Sequence, residues 1–199
     1  MIASSVGGNA NHEPDWQPVL TGVDDAYDVD EGGTLAVTLG DDVLDNHLLL
    51  VDDVGAVTAT SFTATANGVL TPNANGTFTY IHDGSETTSD SFTYVPAQGS
   101  FTGDETTVTI TINPVDDAPV AEDDGPFSVS NGGTVNVPAP GVLDNDSDPE
   151  GSALTAVKVA DPANGTVTLN ANGSFTYTHD GSNTTADSFT YQAKDAGNN

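Results

Sequence analysis

The sequence predicts an all-β fold made of two tandem β-sandwich modules. Residues 74–94 and 171–191 are identical at 17 of 21 positions, at an offset of 97. A repeat near 100 residues indicates a module of domain size. Thr, Asn, Asp, Gly and Val dominate the composition, which favours strands and turns. No apolar pattern with the 3.6-residue spacing of a helix is long enough to predict one.

Alternation of apolar residues with threonine predicts half-buried antiparallel strands. Glycine pairs at 32–33 and 132–133, and Asn-Gly pairs at 67–68, 75–76 and 164–165, mark the turns between strands. The alternating apolar residues are expected to form the core of a sandwich. In module one they are Phe78, Tyr80, Phe92, Tyr94, Val108, Ile110 and Ile112.

The chain divides into three predicted segments. Residues 1–17 are expected to form a flexible N-terminal segment, residues 18–115 the first module, and residues 116–199 the second. The linker around residues 113–124 contains two prolines and five acidic residues. Such a linker is short, stiff and anionic, so we expect bound cations to hold it straight.

The net charge of −28, from 30 acidic and 2 basic residues, restricts the possible partners. Nucleic acid and anionic membrane surfaces are excluded as natural partners, because no basic patch exists to attract them. Self-repulsion of this size destabilises a compact state unless salt or bound cations relieve it. The chain has no cysteine, so divalent metal is the expected cross-link.

An acidic loop at residues 142–151 is the strongest metal-binding pattern. Asp144, Asp146, Asp148 and Glu150 alternate with other residues, so several carboxylates could turn toward one Ca²⁺ ion. The alternative is an acidic, solvated turn. The loop is not an EF-hand, because its glycine comes too late. Without cysteine and with scattered histidines, the composition argues against zinc.

Several motifs together resemble the cadherin-like, immunoglobulin-like tandem repeats of large bacterial surface proteins, such as RTX-type adhesins and VCBS-containing proteins. They include PVAEDD, NGGTV, GVLDNDSDPEG, NGSFTY and DSFTY. The resemblance implies immunoglobulin/cadherin-like Greek-key β-sandwiches with calcium in loops and at the module boundary. It assigns Asp116, Asp117, Asp123 and Asp124 to that boundary. It also implies that calcium fixes the angle between modules.

Module one departs from this pattern at the equivalent loop, residues 43–53. Its alternating acids are replaced by an apolar run, so we expect no calcium there. The leucines are expected to extend a strand, or alternatively to form a contact surface. Module one ends in an alternating strand, Thr107–Asn113, whereas module two stops at residues 194–199, where its own closing strand is expected to begin. Truncation explains this difference, or another chain supplies the strand, with residues 1–17 of a neighbour as a candidate donor.

The sequence predicts no enzyme. It has no GxSxG elbow and no phosphate-binding loop. His82 and His179 are expected to be structural turn residues, and Asp90 and Asp187 to accept loop hydrogen bonds or reach a cation. The N-terminus does not read as a Sec signal peptide.

The favoured function is a calcium-stabilised stalk or adhesion element at the cell surface. Its expected partners are adjacent modules, identical subunits, or a carbohydrate or other cell-surface ligand. The alternatives are a virion decoration protein and a filament subunit joined by donor-strand exchange.

Overall fold

The computed structural model describes residues 20–47 and 55–197. The chain divides into two compact units at the Pro114–Val115 bond, here called module one and module two. The predicted N-terminal segment, residues 1–17, and the leucines at 48–50 lie outside the described residues. The expectations for them therefore remain predictions.

The described residues of module one form eight strands. Strands β1, β8, β6 and β3 form one sheet in that order, with β7 paired to β6, and β2, β5 and β4 form a second sheet. The strands are β1 (Asp25–Asp30), β2 (Thr34–Val37), β3 (Thr58–Thr60), β4 (Gly68–Pro72), β5 (Phe78–His82), β6 (Ser89–Gln98), β7 (Phe101–Thr102) and β8 (Thr106–Asn113).

The core of module one lies between the two sheets. Alternate residues of β5, β6 and β8 are buried, as the period of a strand requires. The predicted core is confirmed, because its seven residues are at most 2% exposed. Strand β8 runs parallel to β1 and antiparallel to β6, so it closes the larger sheet between them.

Module two has five strands and one short 3-10 helix. Strands β11, β12 and β9 form one sheet, in that order, and β10 pairs with β13. The elements are β9 (Thr134–Val137), the 3-10 helix (Gly141–Leu143), β10 (Thr155–Ala160), β11 (Gly165–Leu169), β12 (Phe175–His179) and β13 (Thr190–Lys194). Its core includes Val142, Val167, Phe175 and Tyr177. The predicted all-β sandwich architecture is therefore confirmed.

The repeated histidines and aspartates hold turns in both modules, as predicted. His82 Nδ1 accepts hydrogen bonds from the amides of Gly32 (3.1 Å) and Gly84 (3.3 Å). Asp90 accepts them from the amides of Ala66 (3.0 Å) and Asn67 (2.8 Å). His179 and Asp187 make the same contacts in module two. The histidine and the aspartate of each module therefore accept hydrogen bonds from backbone amides that the hairpin turns leave without a partner in the sheet.

Candidate cation site in the second module

The acidic loop of module two is held against a hairpin turn by two glycines. Gly141 and Gly173 have φ values of +62° and +80°, and the amide of Val142 donates to the Gly173 carbonyl at 3.0 Å. A Cβ atom at Gly173 would lie 1.8 Å from the Pro140 carbonyl oxygen, which leaves room only for glycine. This contact fixes where the loop begins and therefore where its carboxylates lie.

The hydroxyl group of Tyr191, on β13, is the centre of the site. It donates toward the Val142 carbonyl at 2.6 Å and lies 3.0 and 3.1 Å from the two carboxylate oxygens of Asp146. Burial raises the pKa of Tyr191 above its ordinary value, and hydrogen bonds to Asp146 and Asp124 raise it further. The phenol therefore stays protonated and offers one hydrogen to several acceptors.

The chain that precedes module two's first hairpin lies along the acidic loop. Val120 and Ser147 form an antiparallel bridge, and the Glu122 amide donates to Asp146 Oδ1 at 2.9 Å. The Asn145 side chain donates to the Asp123 carbonyl at 3.1 Å. These hydrogen bonds bring two acidic segments together although their charges repel each other.

Asp124 lies among several other carboxylates. Burial raises its pKa, a hydrogen bond from Tyr191 opposes that shift, and the carboxylates of Asp146, Asp123 and Asp144 raise it again. Its Oδ2 atom is buried and has no hydrogen-bond partner. An unpartnered, buried carboxylate oxygen beside other carboxylates fits a hard cation such as calcium.

The other four predicted ligands have different surroundings. Asp148 Oδ1 accepts from the Ser152 amide at 2.8 Å, while its Oδ2 is buried without a partner. Glu150 accepts from the amide of Asp117 at 2.9 Å. The Asp116 carboxylate lies close to Gly197, since a Cβ atom added to that glycine would be 1.9 Å from Asp116 Oδ2. The eight predicted residues therefore include two separate sets of contacts, one around Tyr191 and one joining the linker to Glu150.

Module one has an equivalent site with a different side chain in the loop. The Tyr94 hydroxyl donates to the Val43 carbonyl at 2.5 Å and lies 3.0 Å from His47 Nε2 and 3.3 Å from Asp25 Oδ2. Asn46 connects Asp25 with His47, since its side chain donates to Asp25 Oδ1 at 2.9 Å and contacts His47 Nδ1 at 2.9 Å. His47 thus completes a closed ring of contacts.

The tyrosine was the functional residue that sequence reasoning missed. Alternation assigned Tyr94 to core packing only, and no role was predicted for Tyr191; their rings do lie in or against the core clusters. The signal that could have found the second role is the Tyr that ends both copies of Asp-Ser-Phe-Thr-Tyr. A buried phenol ring needs a polar partner for its hydroxyl group.

The described residues include no helix that is long and apolar enough to cross a membrane.

Comparison with known proteins gives the family of each module. Residues 15–113 match the model of the bacterial Ig domain, and residues 116–199 match that of the bacterial cadherin-like domain. No curated protein matches the chain.

Similar solved structures include protocadherin gamma B2 extracellular cadherin domains 3–6, at 12% identity and a TM-score of 0.48, covering 89% of this chain and 47% of that one. The human desmocollin-1 ectodomain is 14% identical with a TM-score of 0.40, over 81% of this chain and 32% of that one. An endo-fucoidan hydrolase of glycoside hydrolase family 107 is 22% identical with a TM-score of 0.36, over 98% of this chain and 29% of that one.

The chain thus spans less than half the length of each of these structures. Taken together, the two family matches show that this protein consists of immunoglobulin-like and cadherin-like repeats of the type found in bacterial surface proteins.

Proposed function

We propose that the chain is a structural and adhesive element of an extracellular bacterial surface protein, and that calcium stabilises its second module. Domains of these two families are typically non-enzymatic structural modules of surface proteins. The observation that carries the calcium proposal is the convergence of Asp124 and Asp146 on Tyr191, with one carboxylate oxygen buried and unpartnered.

The balance of hydrogen-bond donors and acceptors supports a cation at this position. The Tyr191 hydroxyl has one hydrogen, and its surroundings contain the Val142 carbonyl and the carboxylates of Asp124 and Asp146. The Glu122 amide supplies a further donor to Asp146. The acceptors still exceed the donors, and partly buried carboxylates in excess are destabilising unless a charge compensates them.

Four residues around Tyr191 would hold the ion: Asp123, Asp124, Asp144 and Asp146. A bound calcium ion supplies two positive charges and takes roughly six to eight oxygen ligands. The protein's part is to present these oxygens, which the Val120–Ser147 bridge and the glycine contact of the loop do. Asp116, Asp117, Asp148 and Glu150 are proposed as a second set of ligands, supported by the unpartnered Asp148 Oδ2.

Thermal unfolding with calcium tests this proposal. We expect calcium to raise the unfolding temperature of module two, since a ligand that binds only the folded state stabilises it. Asp124→Asn should abolish most of this rise. In EDTA the variant should unfold at a temperature no lower than that of the unmodified protein, because the substitution removes repulsion between carboxylates. The control is Asp161→Asn, which removes one charge from a side chain that is 72% exposed and ion-paired with Lys158, so the rise that calcium causes should equal that of the unmodified protein. An unfolding temperature that saturating calcium leaves unchanged would refute the calcium proposal.

The adhesive role needs a separate experiment. Beads coated with the chain should aggregate in calcium and disperse in EDTA if identical subunits bind one another. Binding to a glycan array without bead aggregation would instead indicate a carbohydrate ligand. If neither binding occurs, the adhesive part of the proposal is wrong, and a purely structural role is left.

A further inference from the structure

Module one contains an open pocket between the edge strands of its two sheets. Among the described residues, β1 pairs only with β8 and β2 only with β5, so no ladder joins β1 to β2. A cavity of about 520 Å³ lies between them, a volume typical of small-ligand sites. We call it the β1–β2 pocket. It is lined by residues 25–27, 35–38, 40–42 and 45–46.

One wall of the pocket is apolar and aromatic. Tyr27 on β1 and Leu35 and Val37 on β2 line it. Val37 is buried, whereas Tyr27 and Leu35 are half-buried. The Tyr27 ring packs edge-on against Phe78, with centroids 5.3 Å apart. Packing against the core therefore fixes the ring, and part of its surface stays open to an occupant of the pocket.

The rest of the pocket is strongly acidic. Its carboxylates belong to Asp25, Asp41, Asp42 and Asp45. Burial raises the pKa of the Tyr27 phenol, and these four carboxylates raise it further, so their negative potential extends to the aromatic wall. The Tyr27 hydroxyl group does not neutralise them, because it donates to the backbone carbonyl of Asp41 at 2.8 Å rather than to a carboxylate.

Module one has no lysine or arginine to balance these charges, since residues 18–115 contain neither. Asp42 is only 6% exposed, and its two carboxylate oxygens accept hydrogen bonds from the amides of Gly40 (3.4 Å) and Leu44 (3.0 Å). These hydrogen bonds hold the carboxylate in place but leave it negatively charged. A buried charge without a counter-charge is costly, so a cation that enters the pocket stabilises it.

The apolar wall decides which kind of cation fits. A hard ion such as Ca²⁺ takes oxygen ligands alone and gains nothing from the side chains of Tyr27 and Leu35. A lysine side chain combines a four-carbon stem, which lies favourably on apolar surface, with an ammonium group that carries three donors. The exposed carboxylates of Asp41 and Asp45 lie at the mouth, where they can attract such a side chain.

We propose that the β1–β2 pocket binds a lysine side chain of a partner protein. The stem lies against Tyr27 and Leu35, and the ammonium group lies among the four carboxylates. This inference rests on the adhesive role proposed above and names the chemistry of one partner. It is independent of the calcium proposal, whose ligands all lie in module two.

The charge of the chain identifies the partner as a different, basic protein. This chain has only two basic residues, and Lys158 is already ion-paired with Asp161, so a second copy is a poor source of lysine. The net charge of −28 also repels a second copy and attracts a basic protein at long range.

Nuclear magnetic resonance of the ¹⁵N-labelled full chain in calcium-free buffer tests the inference. The probe is the blocked peptide acetyl-Gly-Lys-Gly-amide, which should shift the amide signals of the residues that line the pocket. One control peptide carries norleucine, which keeps the stem without the ammonium group. The other carries 2,4-diaminobutyric acid, which keeps the ammonium group on a shorter stem. Each control should bind at least about fivefold more weakly.

A pair of variants tests the role of the pocket's own carboxylates. Asp41→Asn combined with Asp45→Asn removes two exposed charges from the mouth and should weaken binding of the lysine peptide by about fivefold to tenfold. The matched control combines Asp28→Asn with Asp104→Asn. It removes two exposed charges of module one that lie outside the pocket, and binding should stay within about twofold of the unmodified protein.

Four results would overturn the inference. Equal binding of either control peptide would show that the pocket does not use both the stem and the ammonium group. Equal weakening by the two double variants would indicate diffuse charge attraction. Calcium that shifts the same signals at lower concentration than the peptide would assign the pocket to a metal ion. Free n-butylammonium that binds as tightly as the peptide would assign it to a small amine.

The adhesive role can fail separately from this inference. Beads that aggregate, or a glycan that binds, while the lysine peptide leaves the pocket signals unchanged would keep the adhesive role and refute only the lysine pocket. A pocket that binds the lysine peptide, on a chain that shows neither bead aggregation nor glycan binding, would support the pocket and direct the search for an adhesive partner to basic proteins.

Discussion

His47 of module one and Asp146 of module two occupy equivalent positions, because each contacts the hydroxyl group of the tyrosine that hydrogen-bonds to the same loop. The histidine ring replaces a carboxylate, so module one has fewer negative charges around its tyrosine. Asn46 gives both Asp25 and His47 a hydrogen-bond partner. In module two, by contrast, Asp124 Oδ2 has no such partner. The histidine at position 47 thus gives a physical reason for the prediction that the loop of module one does not bind calcium.

Replacing His47 with aspartate should make module one depend on calcium. His47→Asp places a second carboxylate near Asp25 and removes the ring contact to Tyr94, so we expect unfolding about 4–8 °C lower in EDTA. Calcium should restore most of the loss. The control is Leu39→Asp, which adds the same charge at a residue that is 71% exposed. A loss that calcium does not reverse would show that the histidine acts only by packing.

The pH dependence of module one should reveal the buried carboxyl group of Asp25. Burial raises the pKa of Asp25 to about 6; hydrogen bonds from Tyr94 and Asn46 oppose this shift, and the nearby Asp24 and Asp42 add to it. The folded module therefore holds this proton more tightly than the unfolded chain does. The stability that the protonated Asp25 side chain gives to module one is complete below about pH 4 and is lost as the pH rises through about 6.

Asp25→Asn isolates that contribution. Burial also lowers the pKa of His47, which gives an opposite slope as the pH falls below its ordinary value of 6.5. The useful quantity is therefore the stability of the unmodified protein minus that of Asp25→Asn, from urea midpoints at several pH values. This difference should fall between pH 4 and pH 6, and a difference that is flat or rises would contradict the assignment.

Removal of the two tyrosine hydroxyl groups should have unequal effects. Tyr94 is fully buried and Tyr191 is half-buried, so Tyr94→Phe leaves the Val43 carbonyl without its partner in a dry site. We expect a loss of about 1–3 kcal/mol for Tyr94→Phe and a smaller loss for Tyr191→Phe in EDTA. Urea unfolding of the two variants measures this, and equal losses would contradict the role of burial.

Replacement of Gly141, at the start of the acidic loop, should destabilise module two. Gly141→Ala puts a Cβ atom 2.1 Å from the Gly173 carbonyl oxygen, at a φ of +62°, so we expect a loss above about 2 kcal/mol and weaker calcium binding. Gly151→Ala is the control, since its φ is +73° but nothing lies within 4 Å of the added atom. It should cost about 1 kcal/mol, the penalty of a left-handed residue. Similar losses for the two variants would contradict the steric explanation.

The repeat predicted the sandwich and its core well, because alternation and turn residues act locally. Phe78, Phe92 and Ile110 are buried as the pattern required. The turn roles of His82 and Asp90 followed from their duplicated positions. The Tyr191 site could not be predicted from the acidic loop alone, since it needs a strand some 45 residues further along the chain. Nor could the irregular backbone at residues 124–130 be predicted from local sequence, because their counterpart β1 is a strand through its pairing with β8.

Module one's first and last strands are hydrogen-bonded side by side and run in the same direction, in register from Asp25 opposite Val108 to Asp30 opposite Asn113. A stretching force that enters at one end of the module and leaves at the other pulls these strands in opposite directions along their own axes. The bonds between them are then loaded together in shear rather than broken one after another. A ladder arranged in this way resists tension applied between the two ends of the module.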